Sequence, residues 1–332
     1  MSPKEATPGR VLLAFATVYV IWGSTYLAIR LAIETLPPFT MAGTRFLIAG
    51  GALFGWFRWK GLPAPSAGHW KAAFVSGGLM LLGGNGLLSW SEQHVPSGLA
   101  ALLVATVPLW LVVLAWLGPG KERTGAREIA GLLLGLAGVG LLVSPSPAAL
   151  DNVGTDARGF LTGALAILAG SAAWAVGSLY NRRAPLPSPP LYATAITMLA
   201  GGFLLVLAGL ATGEPARLDP VRISLASAGA LLYLIVFGSL IAFSAYTWLL
   251  RVSRPVLVGT YAYVNPVVAV LLGWAVASEP LDGRTLGAAV VILASVILVH
   301  RARTRSRRAA SREGPGVVPS GPRVELAGGG SG

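Results

Sequence analysis

The sequence predicts an all-α integral membrane protein of about ten transmembrane helices, arranged as two inverted five-helix repeats. Three observations carry that reading. Of the 332 residues, 54% are apolar and only 11% charged, about half the charge of an ordinary soluble domain. Apolar runs of roughly 17–25 residues, the length that crosses a bilayer, recur almost to His300. Pairs of short motifs also return at a nearly constant spacing in the second half of the chain.

Ten segments follow from the first two observations, at about 11–30, 39–57, 72–91, 97–117, 127–144, 159–180, 190–211, 222–249, 255–277 and 285–300. Turn residues punctuate them: Leu36-Pro37-Pro38, Pro63-Ala64-Pro65, Pro119-Gly120, Pro185 to Pro190, and Gly213-Glu214-Pro215. No period-two alternation suggests a β-barrel. The first segment is too long for the usual signal-peptide core and has no small-x-small cleavage site, so it reads as a retained helix.

The formal charge of +12 is distributed as membrane topology. With the tail arginines, nineteen basic residues fall at the N-terminus and in every second loop, against four in the remaining loops. The positive-inside rule puts both termini in the cytoplasm and the chain in the cell (inner) membrane. This pattern points to a lipid bilayer, not nucleic acid, as the partner of the charge. The arginine-rich segment 301–332 reads as a disordered cytoplasmic tail, with contact to anionic lipid as a second reading. The chain has no cysteine, which removes disulfides and thiolate chemistry. The three histidines, His69, His94 and His300, make no metal-spaced cluster, so no metal, cofactor or catalytic residue is expected.

The repeat divides the chain into 1–150 and 151–300. Gly23-Ser24-Thr25-Tyr26 matches Gly177-Ser178-Leu179-Tyr180; Trp90, Pro108 and Trp116 match Trp248, Pro266 and Trp274; Glu122 and Arg127 match Glu279 and Arg284. Five helices per half is an odd number, so the second half enters from the opposite side. Such repeats place a binding site near the midplane between the halves.

Pro108 and Pro266 lie about twelve residues into their segments. A mid-helix proline frees a carbonyl four residues back, and paired interruptions mark either moving helices at a transport site or packing kinks. Arg45 stands about six residues into the second segment. It either snorkels to the interface or meets a carboxylate or a substrate anion. Aligning Ala49-Gly50-Gly51 with Ala200-Gly201-Gly202 puts Ile196 in its place in the other half, which argues against a purely structural need. Asn85, Ser89 and Glu92 share a helical face. Glu92 would pair with Arg45, bind an amine, take a proton, or simply end its helix at the interface. Trp22 and Tyr26, Trp174 and Ser178, and Tyr261 and Asn265 offer flat walls with polar tips, suited to holding a small zwitterion or ring. Trp56, Trp59, Trp70 and Trp248 suit the interfacial belt. Gly51-x-x-x-Gly55 and Gly131-x-x-x-Gly135 allow close helix packing.

Several runs resemble the EamA-type family of the drug/metabolite transporter superfamily, and its YedA-like branch most. They are Trp22 to Arg30 (WGSTYLAIR), Gly84-Asn85-Gly86, Glu92-Gln93, Val95 to Ala101 (VPSGLAA) and Tyr261 to Pro266 (YAYVNP). The resemblance spans about residues 10–300. It implies a ten-helix inverted-repeat carrier with a central cavity, usually an exporter of amino acids or related metabolites. It leaves the substrate, the coupling and the oligomeric state open, a monomer being compatible. A channel would need rings of charge or carbonyls, and a membrane-embedded enzyme would need paired acids or a metal cluster; the chain has neither pattern.

Overall fold

The computed structural model describes residues 7–117, 126–143, 147–253, 258 and 260–312. Every regular element among them is helical. In chain order they are α1 (Pro8–Ala32), α2 (Pro38–Trp59), α3 (Ala67–Ser91), α4 (Ser97–Val104), α5 (Val107–Leu117), α6 (Ala126–Val143), α7 (Pro147–Val153), α8 (Ala157–Asn181), α9 (Pro190–Ala211), α10 (Leu225–Leu249, running on to Val252), α11 (Tyr261–Ala277) and α12 (Gly283–Arg312).

Six stretches are long and apolar enough to cross a membrane: α1, α3, Ser97–Leu114 across α4 and α5, α8, α9 and α10. Shorter apolar stretches lie in α6, α11 and α12. The 22-residue α2 carries Arg45 and Arg58 and is not among the six.

Local chemistry sets the helix starts. Pro38 and Pro190 open α2 and α9, where the missing N–H is one of those with no intrahelical partner anyway. The Ser66 hydroxyl accepts the His69 N–H while the His69 ring accepts the Ser66 N–H, a reciprocal cap on α3. Ser224 accepts the Ser227 N–H at the start of α10, and Asp156 the Gly159 N–H at the start of α8. α12 runs on to Arg312, so the start of the expected disordered tail is helical. The run from Arg301 to Arg312 has no glycine or proline, and Ala and Arg both favour helix.

Two helices change pitch partway. Gly78–Gly86 of α3 and Leu234–Ile241 of α10 are π-helical, with ordinary α-helix on both sides. The fourth expected segment breaks at Ala105–Thr106, and Pro108 is the second residue of the helix that follows. Pro108 therefore does not interrupt a running helix: it stands in a first turn, where amide donors lack intrahelical partners. Pro266 does lie inside a continuous helix, α11.

The largest core joins α1 (Ile29, Ala32), α4 (Ala100, Leu102, Leu103), α8 (Phe160, Ala164, Ile167) and α12 (Ala288, Ile292, Val296). A second core sits where α2, α3, α9 and α10 meet, around Phe46, Leu81, Leu205 and Ile235. α2 and α9 cross with almost no side-chain cushion. A Cβ at Gly43 would come 3.1 Å from the Gly202 carbonyl oxygen and one at Gly50 2.9 Å from that of Ala195; on its other side α9 meets α3 as closely, a Cβ at Gly77 falling 2.8 Å from the Gly201 Cα. Of the two expected packing motifs, Gly131 and Gly135 face Val299 and Ser295 of α12, whereas Gly51 and Gly55 face open space.

Candidate functional site

The π segment of α10 receives two of the sequence's candidates from other helices. At its end the Ala242 N–H donates to the Phe237 carbonyl, five residues back instead of four. The Gly238 carbonyl accepts the Trp22 indole N–H from α1 at 3.2 Å. Arg45, buried, reaches across from α2: its Nε donates to the Ser239 hydroxyl at 2.8 Å, and its guanidinium lies 4.8 Å from the Phe46 ring centroid. A side chain at position 238 would crowd Arg45, its Cβ falling 3.0 Å from a guanidinium nitrogen.

Around Trp22 the rings of Phe243, Tyr246 and Tyr261 stand at centroid distances of 5.1, 5.0 and 5.2 Å. The Tyr19 hydroxyl bonds Thr260 beside them. The Asn265 amide, with its nitrogen turned toward the acceptors around it, donates to the main-chain oxygens of Tyr261 (3.1 Å) and Tyr19 (3.3 Å). Trp22, Arg45, Tyr261 and Asn265 thus belong to one assembly of α1, α2, α10 and α11.

Trp174 and Ser178 sit elsewhere, on α8 against the π segment of α3. A Cβ at Gly84, beside Asn85, would fall 2.8 Å from the Trp174 ring. The Ser178 hydroxyl donates to the Trp174 carbonyl at 2.7 Å, and Asn85 is half-buried.

Glu92 is held apart from Arg45. It is fully buried, and among the described residues neither carboxylate oxygen finds a hydrogen-bond donor. The arginine beside it is Arg30, in the last turn of α1, and that guanidinium donates to the Glu92 main-chain carbonyl at 3.0 Å. Tyr26 and Glu279 lie within electrostatic reach. Glu92 stands one residue beyond the span Ala67–Ser91. Burial first, and the charge of Glu279 second, push its carboxyl well above the ordinary carboxylate range, against the pull of Arg30.

Two other buried carboxylates are fully engaged. Glu279 accepts the Ser97 and Gly98 N–H groups at 2.6 and 2.8 Å, capping α4 from the far side of the chain. Ser278 turns left-handed to end α11, and the Glu279 N–H returns to the Gly273 carbonyl, which aims the side chain. Glu214 caps α2 in the same way, accepting the Phe39 and Thr40 N–H groups and the Thr40 hydroxyl at 3.0, 2.7 and 2.7 Å.

The sequence does not reveal Ser239, Gly238 or Arg30 as partners, because each contact joins residues far apart in the chain. Glu279 shows there only as a loop acid matched to Glu122; Glu122 lies outside the described residues. No group of three or more His, Cys, Asp or Glu that could hold a metal occurs among the described residues.

Comparison with known proteins bears on this arrangement. The EamA-like transporter family matches twice, over residues 9–144 and 161–301. The inner membrane transporter YedA of Escherichia coli (strain K12) is 42% identical over 287 residues, covering 86% of this chain and 89% of its own. Protein PecM of Dickeya dadantii is 27% identical, covering 87% and 91%. A transporter of Archaeoglobus fulgidus is 26% identical, covering 86% and 96%. A protein crystal structure at 23% identity shares the fold with a TM-score of 0.59, over 90% of this chain and all of that one.

Proposed function

Because this chain belongs to the EamA-like transporter family, we propose that it is a secondary carrier exporting small metabolites such as amino acids or related compounds. It works by alternating access around a midplane cavity between two inverted five-helix halves, 1–150 and 151–300. Both termini face the cytoplasm, and a monomer is compatible with this reading.

The observation that carries this reading is Arg45, a buried cation of the first half set into the π segment of a second-half helix. π segments concentrate at functional sites, and interrupted helices in corresponding places are the sequence's pointer to a carrier's site. The two π segments begin at Gly78 and Leu234, and their helices are capped by Ser66 and Ser224, so they recur at nearly one spacing. Two further features support the halves: the family matches each one separately, and the α2–α9 contacts exchange under a shift of 152. Gly43 against Gly202 becomes Ala195 against Gly50, and Leu47 against Gly202 becomes Leu199 against Gly50. That register sets Thr197 opposite Arg45, one residue from the Ile196 of the sequence alignment. Thr197 is uncharged too, so the asymmetry stands.

In this reading Arg45 grips a substrate carboxylate in exchange for Ser239. Trp22, Tyr26, Trp174 and Tyr261 form walls of the wider cavity and Asn85, Ser178 and Asn265 its neutral polar groups, while Glu92, held apart from Arg45, does not touch the substrate. Pro108 and Pro266 flank the parts that move.

The test is uptake by purified protein in liposomes, screened across amino acids, nucleobases and organic cations. Arg45→Gln should abolish transport with expression unchanged. Arg45→Lys should impair it, because lysine lacks the planar fork that binds a carboxylate at two points. Transport by the lysine variant at the wild-type rate would show that Arg45 only anchors α2 to α10 and does not touch substrate.

A further inference from the structure

We infer that Glu92 is a proton-binding site, and that on the carrier reading above its proton is the ion exchanged against substrate. The argument begins with the two carboxylates at this end. Glu279 has two peptide N–H donors at the start of α4. Glu92, likewise buried, has none for either oxygen among the described residues. A buried carboxylate without donors is far more costly ionised than neutral, and the ordinary outcome is that it takes up a proton.

The groups around it reinforce that outcome. From α1 come Tyr26 and Arg30. The Arg30 guanidinium, the nearby positive charge, is engaged with the Glu92 peptide oxygen. From the connection between α11 and α12 comes Glu279, whose negative charge opposes a second one close by. On the same loop as Glu92, His94 packs its ring against Trp90 at 5.1 Å and lies 3.5 Å from the Thr155 hydroxyl.

The site responds to conformation because its neighbours belong to different parts of the chain. Glu279 reaches Ser97 and Gly98 across more than 180 positions of sequence. If that end opens and water reaches Glu92, the carboxyl regains solvation and releases its proton to that side. When the end closes, the carboxyl takes one up again. One proton binds to one carboxylate oxygen and leaves from it, and no other bond changes.

Infrared difference spectroscopy on the full-length protein in lipid nanodiscs, titrated with acid and base, reads this directly. The wild type should show the C=O stretch of a protonated carboxylic acid, lost as pH rises. Glu92→Gln should remove that band, Glu92→Asp should keep it at a shifted frequency, and Glu279→Gln should leave it in place. A band indifferent to Glu92→Gln and Glu92→Asp, or no titrating band, overturns the inference. So does a band displaced by sodium but not by choline at fixed pH, since a metal cation would then be the ligand.

In liposomes, a pH gradient should drive accumulation of whichever substrate the screen finds. Glu92→Gln should lower that accumulation to the level of protein-free vesicles, yet keep one-for-one exchange of labelled against unlabelled substrate. Loss of exchange as well would make Glu92 a substrate contact and overturn the coupling role. If no substrate moves at all, the carrier reading fails while the spectroscopic result still decides the proton site.

Discussion

Glu279 and Glu92 are buried at the same end of the bundle, within each other's field, yet they are treated in opposite ways. Glu279 is aimed by a left-handed residue and a returning peptide bond onto the two amides that open α4. Glu92 follows directly on the last turn of α3 with its peptide oxygen bonded to Arg30 and its carboxylate without a donor among the described residues. The difference separates an acid that holds the fold together from one whose chemistry is left over. Glu214, with three donors at the start of α2, belongs with Glu279. Burial and charge alone do not distinguish these acids; the donors around each of them do.

Breaking the holding acids should have the largest effect. Glu214→Ala strands two amides and a hydroxyl, and at about 1–3 kcal/mol for each unmet buried group it should cost about 4 kcal/mol, read as a lower melting midpoint in detergent. Glu279→Ala strands two amides and should cost about 3 kcal/mol by the same measure. A cost near zero for either would mean that these caps are dispensable and the comparison is empty.

Glu92 should behave differently, and its effect is a slope. Its folded-state carboxyl titrates above the unfolded one, so between the two values the native protein holds more protons. Stability is then full below the unfolded value and is lost as pH rises through the folded one, by up to about 1.4 kcal/mol per pH unit. Glu92→Gln should flatten that dependence. Smallest of all, the same variant should shift stability by less than about 1 kcal/mol at mildly acidic pH, because the amide replaces an acid that is already neutral there. A large loss at that pH would place Glu92 with Glu279 and Glu214.

Much of the fold is legible in the sequence because it is local. The described residues of the apolar segments are mainly helical, six of the stretches being long and apolar enough to cross a membrane, and Pro38 and Pro190 start helices where the turn residues put them. The changes of pitch were less legible. α3 carries a warning in Gly77, Gly78, Gly83, Gly84 and Gly86, but the matching stretch of α10 has only Gly238 among bulky apolar neighbours. The site is harder still. Arg45 and Glu92 look like partners because they are the conspicuous opposite charges of the first half. The structure gives Arg45 a serine 194 positions away and Glu92 the main-chain grip of Arg30. Neutral acceptors such as Ser239 and the Gly238 carbonyl leave no compositional trace, and which acid receives donors is decided by chain segments that meet only in three dimensions.

The crossing of α2 and α9 has a mechanical consequence. With Gly43, Gly50 and Gly202 placing main chain against main chain, the two helices mesh with nothing compressible between them. Sliding one along the other would drive side chains such as Leu47 and Met198 into the gap the glycines leave, and the helices would have to lift apart. The seam is therefore stiff along its length, a rail that fixes the register of α2 on α9.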